Sequence, residues 1–417
     1  MRKLAAVLAA LAVAYAAPAF ATNGMRMVGF GPVQNSMGGV GVGATLDASS
    51  IATNPAGIAD LGQRLDLAVG YFKPTVSYSA TGTPTGMPAP NPPSMIGADS
   101  ASISSDRAGS PIPAVAYVRP ISENLSAGVG VFAVSGMGVD YPTNLYLSSA
   151  LTSYLNARVA PGVAYRLSDV FTLGVTANLA LAQMEYDVAG NLPPAMGGQV
   201  KHSTATSLGG GFTLGLKAKV SEQLSLGAAY ESKTWFQAFS FDVPGGTDKL
   251  VFDQPMQATV GASFRPTQIL LLAADVGWIN WSDTMGKNLP KYSQSQPTTM
   301  PFDMSWSDQW VFKVGAQITA MKGLDVRVGY DYGKMPLDKT RAFENIVFPA
   351  VSEHHFTLGA GWAMNDQFTL QVTGMYSPEA KLTGSNGGPP QSGGQMIASY
   401  TTKMSQLQFD VGASYRF

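Results

Sequence analysis

The sequence predicts an all-β protein: a fourteen-stranded antiparallel transmembrane β-barrel with an N-terminal hatch, or plug, inside its lumen. Three observations lead there. Apolar residues recur at every second position in stretch after stretch, as strands with one apolar face require. Short turns alternate with long Pro-, Gly- and Ser-rich connections, so one end of the molecule is tight and the other elaborate. Finally, Leu407, Phe409, Val411, Ala413, Tyr415 and Phe417 alternate to the last residue. A strand that ends the chain this way needs a partner, and in a barrel it closes against the first strand.

Composition narrows the class before any strand is placed. Of 417 residues 13% are charged, against about 25% in an ordinary soluble domain. Lys and Arg total 26 and Asp and Glu 27, for a net charge of -1, so a nucleic-acid partner is not expected. No apolar run past residue 21 approaches the ~18 residues that a membrane helix needs. The absence of cysteine removes disulfides, Cys-ligated metals and thiol nucleophiles.

Arg2 and Lys3, the apolar stretch Leu4 to Ala17, and Ala19-Phe20-Ala21 predict a signal peptide over residues 1–21. Residues 22–63 are the expected hatch and 64–417 the barrel. Alternation places strands at 64–79, 111–121, 125–139, 155–167, 170–187, 206–220, 223–243, 255–265, 268–284, 308–321, 323–336, 352–364, 366–383 and 403–417. Phe171, Leu173, Val175, Leu179 and Leu181 are typical of one face; Thr172, Gly174, Thr176 and Asn178 are typical of the other. Alternation alone also suits a soluble sandwich with its apolar face inward. Strand length decides between them, because sandwich strands run near five or six residues and barrel strands need ten or so. Tyr71, Tyr117, Tyr165, Tyr230, Trp235, Trp278, Trp281, Trp310, Tyr330 and Trp362 fall near strand ends, where an interfacial girdle belongs.

Residues 22–63 do not alternate. They carry Gly at 24, 29, 31, 38, 39, 41, 43 and 57, which demands surrounding walls if the segment is to stay ordered. Met25, Met27, Val28, Phe30, Met37, Val40, Leu46, Ile51 and Ile58 are too many apolar groups for a solvated tail. The stretch from Asn23 to Leu61, with Gly38-Gly39, Asp47 and above all Asn54-Pro55-Ala56-Gly57, resembles the hatch of the FadL/TodX-type outer membrane transport proteins. These carry long-chain fatty acids or aromatic and other hydrocarbons inward. Further similar segments are Asn124 to Tyr141, 155–187, Tyr230 to Val243, Asp275 to Asp283, Ser307 to Ile318 and Ser414 to Phe417.

The resemblance implies a lateral opening beside a kink in the third strand. Val134-Ser135-Gly136-Met137-Gly138 is the stretch to hold it, since glycine inside a strand marks bulges and bends; Ser135, Gly136 and Gly138 are the candidate kink residues. Among 19 methionines, whose flexible thioethers suit promiscuous apolar sites, Met25, Met27, Met137 and Met196 are candidate ligand contacts. Phe30 near the mature start and Leu145 and Leu147 in the connection after the third strand join them. Asp47, Asn54, Pro55 and Ala56 are the hatch motif. Carriers of fatty acids in this family set basic groups against the carboxylate, which makes Lys201, Lys313 and Arg327 candidates.

The expected function is passive uptake of hydrophobic compounds across the outer membrane of a Gram-negative bacterium, by loop capture, hatch movement and lateral exit. Expected partners are a hydrophobic small molecule, outer-membrane lipid and lipopolysaccharide, and the barrel assembly machinery, which would read Phe417; the chain is expected to be a monomer. No cofactor and no metal is expected, since adjacent His354 and His355 point to opposite faces of a strand. The alternatives are a plugged barrel acting as an adhesin or surface structural protein, and an outer-membrane hydrolase using His202.

Overall fold

The computed structural model describes residues 22–84, 102–142, 147–190, 201–243, 246–286, 291–293, 304–342, 344–384 and 396–417. Fourteen antiparallel strands form a closed barrel in which each strand pairs with its neighbours in sequence. They are β1 Arg64–Pro84, β2 Ser110–Pro120, β3 Leu125–Tyr141, β4 Leu147–Arg166, β5 Phe171–Gly190, β6 Lys201–Lys219 and β7 Leu224–Glu231. They continue as β8 Gln257–Thr267, β9 Leu270–Ile279, β10 Gln309–Met321, β11 Leu324–Gly333, β12 His354–Ala363, β13 Phe368–Gly384 and β14 Met396–Arg416. Strands β1 and β14 zip together from Arg64 opposite Arg416 to Pro84 opposite Met396. Along this seam neither terminal strand is left unpaired, which removes the template for aggregation that open edges provide.

The wall is turned inside out relative to a soluble protein. On β5, Phe171, Leu173, Val175 and Leu179 are exposed, while Thr172, Thr176 and Asn178 between them are buried in the interior. On β14, Leu407, Phe409, Val411 and Tyr415 face out and Gln408, Asp410 and Ser414 face in. An apolar outer band with a polar interior is the arrangement a lipid-embedded barrel needs.

Two expectations about the strands fail. The seventh strand stops at Glu231 instead of running to 243. Beyond it, Thr234 pairs with Gln254, and Phe239–Val243, Gly246–Leu250 and Lys291–Ser293 make a small separate sheet. The alternation of Phe239 and Phe241 therefore serves a buried aromatic cluster rather than the lipid face. Trp281 is not a girdle residue: the chain leaves β9 at Ile279 and makes one 3-10 turn, Trp281–Asp283. Its indole is fully buried, donates to the Gln309 side chain at 3.1 Å, and meets Trp306 edge-on at 5.0 Å.

Residues 22–63 pack against inward-facing positions of strands around the barrel. They form two short helices, α1 Gly31–Ser36 and α2 Ser50–Thr53, and a 3-10 turn, Pro55–Asp60, joined by irregular backbone. The segment touches the wall where the wall has no side chain. A Cβ on Gly174 or Gly215 would collide with the Asn54–Ala56 turn, on Gly227 with Val42, on Gly261 with Gly43, and on Gly315 or Gly329 with Met37 and Gly38. At Gly38 and Gly39 the backbone adopts φ values of 69° and 76°, conformations in which a side chain is strained.

Replacing Gly329 by Val should therefore destabilise the barrel by about 1–3 kcal/mol through overpacking. Gly210→Ala, where an added Cβ meets nothing within 4 Å, should change stability by less than about 0.5 kcal/mol. The temperature at which the protein loses its compact migration on a detergent gel distinguishes the two.

Candidate functional site

One stretch of the wall is incomplete. The ladder between β2 and β3 ends at Ala114 opposite Phe132, although β2 stays paired to β1 as far as Ser110. Pro111 and Pro113 explain this. Residues two apart in a strand direct their backbone N–H positions to the same side, and proline has no N–H to give. Since the β1 side of this stretch is occupied, the deficit falls on the β3 side. Strand β3 then bulges between Ala133 and Ser135 in its pairing with β4, which re-aims the strand at that point. The break is bounded above by Ser105 and Asp106, which hydrogen-bond to Asp140.

The N-terminal segment occupies the place of the missing partner. The Met27 N–H donates to the Val134 carbonyl at 3.1 Å, and the Gly136 N–H donates to the Met25 carbonyl at 3.1 Å. Arg26 thus stands opposite Ser135 as an antiparallel pair. Met25 packs in one buried cluster with Met137; Met27 and Phe30 pack in another with Phe132 and Val134. The Phe30 and Phe132 rings are 5.1 Å apart.

Charged groups hold this stretch from the opposite side. Arg26 meets Glu231 at 2.8 Å and Arg158 meets it at 3.0 Å, one guanidinium on each carboxylate oxygen. Asn23 donates to Asp331 at 3.1 Å, and Asp331 also contacts the His355 Nδ1 at 2.9 Å. Lys313 donates to the carbonyls of Val28 at 2.5 Å and Gly39 at 3.3 Å. A cavity of about 60 Å³ lies among Arg26, Val28, Val42, Glu231, Ile279 and Lys313. Benzene occupies an apolar cavity of about 150 Å³, so this space admits no aromatic ring without movement.

Above the cavity, towards the long connections, the interior is aromatic and tightly packed. Tyr154 lies 4.8 Å from Phe252, and Phe252 lies 6.0 Å from Phe348. The chain from Asn345 to Val351 dips into this cluster. Tyr141 and Thr152, at the upper ends of β3 and β4, donate to the carbonyls of Ile346 and Val347 at 3.3 and 2.6 Å. Trp306 donates to the Asn345 side chain at 2.7 Å.

The other sequence-derived residues lie elsewhere. Asn54 donates to the carbonyls of Val42 and Leu216 and accepts from the Ala56 N–H; with Pro55 and Ala56 it sits against β5 and β6 and anchors the segment away from the break. Asp47 accepts from the Ser49 N–H and hydroxyl. Burial, with a further contribution from Asp66, pushes its carboxyl up to about 6. Gly138 is buried on β3, above the bulge. Leu145 and Met196 lie outside the described residues; Leu147 begins β4, and Lys201 and His202 begin β6. Arg327 donates to Gln317 and Gln371 and pairs with Asp325. Arg26, Arg158, Glu231, Asp275 and Asp331 did not stand out in the sequence. For the four on strands the one legible signal is a charge at an inward position of an alternating strand; Arg26, in the segment that does not alternate, carries none.

Asp275 of β9 holds the segment through three consecutive backbone groups. Its carboxylate accepts the N–H groups of Gly41, Val42 and Gly43 at 2.8, 2.9 and 3.1 Å. Asp275→Ala leaves three buried donors unmatched and should destabilise the protein by about 3 kcal/mol or more, visible in thermal unfolding. For Asp47 the folded-state pKa of about 6 lies above the unfolded value of 3.8. The folded form therefore binds the proton more tightly, and this group's contribution to stability is greatest below pH 4 and falls as pH rises to about 6. The two-unit difference corresponds to about 3 kcal/mol. Asp47→Asn should flatten the unfolding temperature over that window relative to the parent chain.

Comparison with known proteins follows the same lines. The chain is similar over 94% of its length to all of a Pseudomonas aeruginosa FadL homologue of known structure, with a TM-score of 0.75 at 18% identity. It is similar to the Pseudomonas putida toluene transporter TodX, with a TM-score of 0.69 at 17% identity, covering 94% of this chain and 99% of that one. For the Ralstonia pickettii toluene transporter TbuX the values are 0.66 and 18%, with the same coverage. No curated protein sequence matches the chain. The model of the outer membrane protein transport protein family (OMPP1/FadL/TodX) matches residues 8–417. With a closed barrel, an apolar outer face and this match over nearly its whole length, the chain belongs to that family of outer-membrane transport channels.

Proposed function

We propose that the chain admits hydrophobic compounds passively, and that they leave sideways through the wall between β2 and β3. The observation that carries this reading is a ladder break filled by the backbone of Met25 to Met27 rather than by a strand. Such a filler is removable. Parting it from β3 breaks the two backbone hydrogen bonds that seat it, about 0.5–1.5 kcal/mol each net, while Arg26 keeps its pairing with Glu231 on the opposite side. Residues Asn23 to Met27 are accordingly the moving part of the hatch, and the Asn54–Ala56 turn is its fixed anchor.

In this mechanism the solute enters among the outer connections and works through the aromatic cluster around Phe252 and Phe348. It reaches Met25, Met27, Phe30 and Met137, displaces the N-terminal residues, and passes Ser135, Gly136 and Gly138 into the membrane. The route spares it a passage through water on the periplasmic side. For about 200 Å² of apolar surface, re-exposure would cost about 5 kcal/mol. A downhill gradient is the only driving force needed. The monomer suffices, since the whole pathway lies in one chain. The exposed Phe417, which packs on Tyr415 and Tyr117, supports recognition by the assembly machinery, and the apolar outer band supports contact with lipid and lipopolysaccharide.

A disulfide tests the lateral step directly in a chain that has no cysteine of its own. Arg26 and Ser135 form the closely spaced kind of antiparallel pair, with Cα atoms about 4.5 Å apart, within the range a disulfide spans. In cells carrying R26C/S135C, oxidation should lower uptake of toluene and of long-chain fatty acid at least tenfold, and reduction should restore it. Uptake indifferent to oxidation would refute the lateral route. Equal uptake by cells with and without the parent protein would refute transport itself.

A further inference from the structure

We propose that the cargo is uncharged, a hydrocarbon or small neutral aromatic rather than a carboxylate, and that Glu231 sets this preference by occupying both arginines beside the exit. This deepens the transport reading and rests on it. A fatty-acid anion needs a cation with hydrogen-bonding capacity to spare. Among the described residues around the cavity and the break the basic groups are Arg26, Arg158 and Lys313, and each is held by acceptors, the buried Arg158 Nε alone having none. Glu231 takes both arginines, through separate oxygens at 2.8 and 3.0 Å. Lys313 is turned to two carbonyls of the N-terminal segment and lies in the field of Asp275 and Asp331.

Three cations thus face three carboxylates, Glu231, Asp275 and Asp331, and the site is balanced before any solute arrives. Farther out, Arg107 sits in the field of Asp140 and Glu185. An incoming carboxylate could gain an arginine only by displacing Glu231, whose side chain is 12% exposed, and leaving that charge buried without a partner. Breaking a buried pair in this way weakens binding by a factor on the order of a hundred or more. What the passage offers instead is thioether and aromatic surface from Met25, Met27, Phe30, Phe132 and Met137, which binds uncharged rings and chains by contact area.

The test uses matched solutes on the purified full-length protein in detergent: toluene against benzoate, and octane against octanoate, at pH 7.5, with binding read by calorimetry and uptake read in cells. The parent protein should bind and admit the neutral member of each pair at least 100-fold better. Glu231→Gln leaves two arginines facing a neutral amide and should raise the carboxylate-to-neutral ratio tenfold or more. Parent protein that takes both members of a pair equally overturns the proposal and leaves the transport reading intact, and this outcome does not depend on the variant's folding. A folded Glu231→Gln variant with an unchanged ratio removes Glu231 from the explanation. Failure of every solute, neutral or charged, to bind or enter overturns the transport reading and the proposal with it.

Discussion

The structure depends on the close fit between an irregular N-terminal segment and a wall that yields to it at chosen points. A closed ring of fourteen strands encloses more space than its inward side chains fill. The segment fills that space, but as mostly non-repeating backbone it brings many N–H and C=O groups that need partners. The wall provides them. Asp275 receives three consecutive N–H groups, Asp410 receives the Asn35 side chain at 2.8 Å, and Thr357 and Thr373 donate to the carbonyls of Ser36 and Pro32 at 3.1 and 2.6 Å. Where backbone meets backbone, glycine in the strands makes the room.

This fit is strong at one end of the segment and weak at the other. From Gly38 to the Asn54–Ala56 turn, wall and segment interlock on many strands. Around Met25 to Met27 the wall's backbone partner is a single strand edge, freed by two prolines and a bulge. The charges behind it, Arg26 with Glu231 and Asn23 with Asp331, hold by pairing that can be remade, whereas the interlocked portion holds by volume that cannot be exchanged. On the proposed lateral route, only this loosest joint parts.

Much of this was legible in the sequence. Alternation identified all the barrel strands, because facing lipid on one side and a polar interior on the other is a period-two problem that leaves a period-two record. It failed where the same period served another purpose: Phe239 and Phe241 alternate toward an internal aromatic cluster, and Trp281 turns inward two residues after its strand has ended. The density of Gly and apolar residues before residue 64 marked the segment as enclosed, but could not say which wall positions would receive it. Pro111 and Pro113 were the overlooked sign of the ladder break, since their effect depends on which neighbour each side of β2 faces. The pairing of Arg26 and Arg158 with Glu231 joins residues more than seventy positions apart, and only strand register brings them together.

The closure of β1 on β14 has a consequence for how the molecule is made. The segment is continuous with β1 through Gln63, whose carbonyl accepts the N–H of the last residue, Phe417. It is gripped on all sides by strands drawn from the whole length of the chain. So close-fitting a core cannot be threaded into a finished cylinder. The strands must assemble around it, and the final seam between the first strand and the last is drawn shut with the contents already in place.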